Sequence, residues 1–169
     1  MFNHVSVDIP EVSTKTVNRK RFYVTPTGLF PSITTVLGAR KEKQKGLAKW
    51  RERVGNDVAN HIMRTAAGRG TAVHHMCEDF LNNKEVIKEE QSFLPWCLFS
   101  QLKPTLEKSI NNIFAQECGL WSEKYRLAGR VVCIAEWNGV PSIIDFKTSR
   151  SERKDDYNFE YYMQASAYA

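Results

Sequence analysis

The stretch from Gly129 to Lys147 reads GRVVCIAEWNGVPSIIDFK. Asn138-Gly139 is a strong hairpin signal, because both residues tolerate the positive φ of a type I′ turn. It predicts one strand over about 129–137 and another over 140–147. A two-residue turn fixes the register, so Trp137 faces Val140 and position 132 lies directly across from Asp145. A four-residue loop centred on the same turn gives the same pairing, and only a bulge would shift it. Opposed residues hold their Cβ atoms ~4.5–5.5 Å apart. Lys147, two residues beyond Asp145, shares its face. An acid and a base thus stand side by side just past the apolar pair Ile143-Ile144. Taken alone, D-x-K is a common pattern, and an ordinary surface ion pair also explains it.

Upstream of the hairpin the texture is mostly helical. The first thirty residues mix turn formers with short β-prone pieces such as RFYVT. Ser32 is expected to cap a short helix running to Leu37 and closed by Gly38. Trp50, Val54, Val58 and Ile62 recur every four residues and predict a helix over 46–67. Gly68 and Gly70 are expected to break it before a second helix over 71–81, ended by Asn82 and Asn83. A polar loop over 84–90 follows. Phe93, Trp96, Phe99 and Leu102 open a further helix, which Pro104 interrupts and Leu106, Ile110 and Ile113 resume. A strand through Trp121, Glu123 and Tyr125 is expected before the hairpin. After it come a polar stretch over 148–156 and a last helix from about 158. The order of helices, a small sheet and a helix gives a mixed α/β or α+β class.

The 169 residues favour a single domain over 1–169. The 42% apolar content suffices for a core and argues against long disorder. No apolar run approaches the ~18–20 residues that span a bilayer, so no membrane partner is expected. The opening MFNHVSVDIPEV lacks a basic region followed by an apolar core, which argues against a secretory signal. Asp8 and Glu11 argue against a transit peptide. Cys77, Cys97, Cys118 and Cys133 are scattered, with no C-x-x-C pair. They are expected to be reduced thiols of a cytosolic-type protein rather than a zinc site.

Lys and Arg number 24 against 19 Asp and Glu, a net charge of +5. The distribution says more than the sum. Arg40, Lys41, Lys43, Lys45, Lys49, Arg51, Arg53, Arg64 and Arg69 face only Glu42, Glu52 and Asp57 between positions 39 and 69. Such a face could bind phosphates by counterion release. A solvated helix surface explains the charge equally well.

The order of motifs resembles the RecB-like branch of the PD-(D/E)xK nucleases, nearest to its genome-maintenance exonucleases and their phage relatives. That signature has a helix histidine, matched by His74 in RGTAVHHM, and a strand glutamate, matched by Glu123 in WSEKY. It continues with G-x-x-D, then D-x-K, matched by Asp145 and Lys147, then Q-x-x-x-Y, matched by Gln164 and Tyr168. The likeness begins at FPSITTVLGARKEKQKGLAKWRERVG and covers most of the chain. It departs twice. The G-x-x-D element reads Gly129-Arg130-Val131-Val132, with valine where an aspartate is expected. Such folds also normally continue with more sheet after the Q-x-x-x-Y helix, whereas this sequence ends at Ala169, so a domain truncated after that helix is expected.

The resemblance implies a restriction-endonuclease-like core and hydrolysis of DNA phosphodiesters, at single strands or ends, with Mg²⁺ or Mn²⁺. The metal would acidify a water and neutralise charge at the phosphate. Its implied ligands are His74, Asp145, the residue at 132 and the Phe146 carbonyl. Lys147 would orient or deprotonate the water or stabilise developing charge, and Glu123 would be a further acid. Gln164, Tyr168, Thr148, Lys49 and Arg53 are the implied DNA contacts. Replication or recombination proteins are implied partners, and the implied location is the cytoplasm, a host's for a phage protein, rather than the mitochondrion.

Other readings stand beside these. His74 with Glu78, or His75 with Asp79, would make plain surface pairs one helical turn apart. Gln164 and Tyr168 share a helix face and would also suit core packing, with Phe159, Tyr161 and Tyr162. Glu136 shares the face of position 132 but lies ~13 Å along the strand, too far to replace the missing carboxylate. Valine at 132 removes both the repulsion between opposed carboxylates and much of the metal affinity. The expectation is an impaired exonuclease. The alternative is a catalytically dead nuclease fold that binds DNA or protein.

Overall fold

The computed structural model describes residues 1–151 and 155–169. The main sheet has four strands, in the order β1 (Asn3–His4), β5 (Ile110–Ser122), β6 (Leu127–Trp137), β7 (Val140–Ile144). β1 runs parallel to β5, and the other neighbours are antiparallel. A second, three-stranded antiparallel sheet joins β2 (Ser13–Val17), β3 (Lys20–Thr25) and β4 (Gly28–Pro31). Helices α1 (Ile33–Gly38), α2 (Lys41–Val54), α3 (Asn56–Leu81) and α4 (Phe93–Ser109) lie between the sheets in sequence, and α5 (Phe159–Ser166) follows the hairpin. The class is the expected mixed α/β, with small sheets and a C-terminal helix.

The turn behaves as its residues dictate. Asn138 and Gly139 take φ of 51° and 81°, and Trp137 pairs with Val140. Ser32 caps α1, its side chain accepting from the Thr35 amide at 3.1 Å. The main core packs Val73, Cys77 and Leu81 of α3 and Phe99 and Leu106 of α4 against Cys133 and Ala135 of β6. Tyr23 and Phe30 of the small sheet form a second cluster with Ala128. All four cysteines are free. Burial pushes the Cys77 and Cys133 thiols up to about 12, which keeps them protonated and unreactive. Among the described residues, no helix is long and apolar enough to cross a membrane.

Several elements differ from the sequence reading. The helix break falls at Gly55 (φ 85°), while Gly68 and Gly70 lie inside α3. A helical glycine costs only about 1 kcal/mol relative to alanine, which the packing of the C-terminal half of α3 offsets. Splitting the helices at Gly55 takes Val58 off the expected apolar stripe and leaves it 52% exposed. Pro104 sits within α4 and does not interrupt it, and the helix ends at Ser109. Ile110 and Ile113 belong instead to β5, a long strand with register shifts at its start. β5 ends at Ser122, so Glu123 and Tyr125 occupy the turn into β6 rather than a strand. β7 stops at Ile144, before Asp145 and Lys147.

Candidate active site

The hairpin delivers the acid–base pair to the end of the ladder. Cys133 pairs with Ile144 in the last rung of the β6–β7 ladder, and the expected partners Val132 and Asp145 are the residues one step beyond it. Lys147 Nζ donates to Asp145 Oδ2, the two side chains lying on one side of the strand's extension. Between them Phe146 is turned into the core. Its carbonyl accepts from His74 Nε2, and the two rings meet edge to face at 5.9 Å. A carbonyl only accepts, so Nε2 carries the ring proton in this arrangement. Asp145 Oδ1 is buried and has no partner among the described residues. An ionised buried oxygen left unpaired is costly, so this atom is placed to meet a cation or a donor.

The C-terminal helix closes in from the other side. The Tyr168 ring packs on Gly129, where an added Cβ would come within 2.5 Å of the ring. The first residue of the G-x-x-D element is therefore glycine because a tyrosine lies against its backbone. Gln164 Nε2 points to the Tyr168 hydroxyl at 3.5 Å. Burial is the largest cause raising the Tyr168 pKa, and the charge on Asp145 adds to it. Thr148 lies alongside Gly70 of α3. Tyr162 and Phe159 are exposed, so the core-packing explanation does not hold for them.

Glu123 is not placed with this group. Its carboxylate accepts from Thr27 and from Trp121 Nε1, the latter at 3.1 Å, bracing the β5–β6 turn against the small sheet. The acid that does approach His74 is Glu117, which sequence reading missed. Gln116 pairs with Cys133 and Cys118 with Val131, which puts Glu117 across from Val132. Glu117 shares a cleft with His74, His75, Glu78 and Arg130. Its backbone is left-handed (φ 47°), a conformation no sequence pattern announces at a glutamate. Neither expected surface pair on α3 forms. His75 approaches Glu78 at 3.8 Å, and Asp79 binds Lys84 at 3.1 Å. Glu136 is held by Asn111 and Asn112, away from the pair.

Burial first, then the charge on Glu78, raises the Glu117 pKa, with Arg130 opposing. A raised acid holds its proton to higher pH in the folded chain than in the unfolded one. Stability therefore falls as pH climbs from the ordinary carboxylate range to the folded value. Glu117→Gln is expected to melt higher than the parent at about pH 8 in chelator, with the gap narrowing at about pH 4. Thermal melts at the two pH values check this. A lower melting point for the variant at the higher pH would mean that the Arg130 contact outweighs burial.

Lys49 and Arg53 are exposed on α2, a helix with no buried residue. Arg51 reaches Asn60 of α3 at 2.9 Å. The start of α2 is tied to α5, where Arg40 and Lys43 approach Glu160 at 3.8 and 2.5 Å.

The donor set does not amount to a metal cage. Among the described residues, no three His, Cys, Asp or Glu side chains converge to hold an ion. Asp145 offers one oxygen, valine at 132 offers none, and the His74 nitrogen is committed to the Phe146 carbonyl. These residues do not fit a complete Mg²⁺ or Mn²⁺ site, which calls for near-octahedral oxygen ligands.

The fold is a mixed α+β domain with two small sheets and a C-terminal helix, and the site is an acid–base pair at the end of its hairpin. No family model matches the chain. It is 26% identical over 159 residues to human Mitochondrial genome maintenance exonuclease 1, an alignment covering 90% of this chain and 46% of that protein. The chain thus spans about half the length of the curated relative it matches, and the likeness points to a nuclease relationship.

Proposed function

We propose that this chain is the nuclease-fold domain of a metal-dependent DNA exonuclease of the RecB-like PD-(D/E)xK type, acting on single strands or DNA ends, with cleavage impaired by Val132. The observation that carries this is the Asp145–Lys147 pair at the hairpin's end, with the unpartnered Asp145 oxygen in step with position 132. Lys147 lines a cleft beside the pair and would meet a phosphate there. His74 pins the Phe146 carbonyl and with it the strand's exit. A second reading, a module that binds DNA or protein without cutting, is favoured by the lack of three converging donors.

Binding should survive the loss of the ligand at 132, because phosphate contacts on α2 do not need a metal. The chain is expected to bind single-stranded DNA at low salt, with affinity falling linearly on a log–log plot against salt. Each phosphate contact contributes about −0.7 to the slope, so losing two with Lys49→Ala and Arg53→Ala should flatten it by roughly 1.4. Fluorescence anisotropy across a salt series measures both. No binding at low salt, or a flat response, would count against a DNA-binding function.

A further inference from the structure

A cleft of about 520 Å³ opens beside the acid–base pair. Asp145, Lys147 and Thr148 line it together with Tyr161 and Tyr162 of α5. Its volume lies within the roughly 300–1,000 Å³ of clefts that seat small ligands. Lys147 Nζ stands 5.3 Å from the centre of the Tyr161 ring, so charged and aromatic walls are close neighbours. The next residue, Tyr162, is 56% exposed, and Phe159, one turn earlier, is 55% exposed. Arg40, the residue just before α2, lies 5.8 Å over the Phe159 ring. The Tyr162 hydroxyl reaches Asp155 at 3.5 Å, a contact at the edge of the ring.

The geometry points to Tyr162 as a stacking residue that takes the face of an unpaired base while the adjoining phosphate meets Lys147. This rests on the DNA-binding reading above and adds the part of the strand that the cleft selects. Aromatic rings beside cations form the surface that single-stranded nucleic acid prefers, since every base has a π-face and every linkage a charge. A duplex cannot offer that face, because its bases are stacked on one another. A protein partner would find a cleft whose lining includes Asp145 and Lys147, a poor match for an apolar anchor. Tyr162 therefore acts as a specificity-determining residue for strands with exposed bases.

The test uses the 169-residue chain and a fluorescein-labelled oligo-dT of about 12 nucleotides, read by anisotropy. The probes for comparison are a duplex of equal length and an abasic strand carrying the same phosphates. Tyr162→Ala is expected to weaken oligo-dT binding by roughly 5- to 100-fold, the loss of about one stacked base. Its salt slope and its affinity for the abasic strand should stay those of the parent, and Tyr162→Phe should bind oligo-dT normally. Circular dichroism confirms that both variants are folded. If Tyr162→Ala binds oligo-dT as tightly as the parent, or loses equally on the abasic strand, the stacking role is wrong and DNA binding stands. If the parent binds neither strand at low salt, the DNA-binding reading itself fails.

Discussion

Val132→Asp is expected to raise Mg²⁺- or Mn²⁺-dependent cleavage of single-stranded DNA by at least about 10²-fold over the unaltered chain. Even outer partners of metal ligands are worth 10- to 100-fold in affinity or activity, and position 132 follows directly on the last rung at Cys133–Ile144. Valine has no lone pair, whereas an aspartate there would place a second carboxylate on the register position expected to face Asp145, with Glu117 across from it on β5. Any residual activity of the unaltered chain should respond better to Mn²⁺ than to Mg²⁺, which demands near-ideal coordination. Asp145→Ala or Lys147→Ala in the Val132→Asp background should remove the gain. Cleavage of a 5′- or 3′-labelled strand, resolved on a gel, measures all of these. Robust cleavage by the unaltered chain would show that position 132 is not a required ligand. A folded, DNA-binding Val132→Asp protein with no gain would favour the non-cutting module.

The same substitution should make stability depend on metal. Val132 packs against the core, and replacing it with a charged group beside Asp145 adds desolvation and like-charge repulsion. In chelator, Val132→Asp is expected to lose on the order of 2–4 kcal/mol. A divalent ion at a hundred times its dissociation constant returns about 2.7 kcal/mol by mass action. The unaltered chain, which lacks a converging donor set, should melt at the same temperature with or without Mn²⁺. Thermal melts of both proteins in EDTA and in Mn²⁺ give the comparison. Equal melting of Val132→Asp in both buffers would mean that the two carboxylates stand too far apart to share an ion.

The hairpin was legible because its information is local. Asn138-Gly139 dictates the turn and period-two alternation dictates the faces, so the rungs from Trp137–Val140 to Cys133–Ile144 follow by counting. The capped α1 and the end of α3 at Leu81 were legible for the same reason. What failed depended on distant packing. Ile110 and Ile113, three apart, imitate a helical spacing, and only the neighbouring strands make them β. Gly55 and the pair Gly68 and Gly70 look alike as breakers, and the difference is that packing carries α3 through the latter. Glu117 and Glu123 are both acids in a β-rich segment. Choosing between them needed the β5–β6 register and the bonds from Thr27 and Trp121 that occupy Glu123.

The helix α2 contributes no buried residue, joins α3 through a single glycine and carries most of the concentrated positive charge. Apart from the contacts of Arg51 with α3 and of Arg40 and Lys43 with Glu160, its charged positions are only weakly coupled to the folding of the domain. Lysines and arginines can be gained or lost along it at little cost in stability, while each exchange changes the grip on a polyanion. If the chain binds DNA as proposed, affinity for the strand's backbone is a quantity that selection can tune largely on this arm, away from the hairpin and the core beneath it.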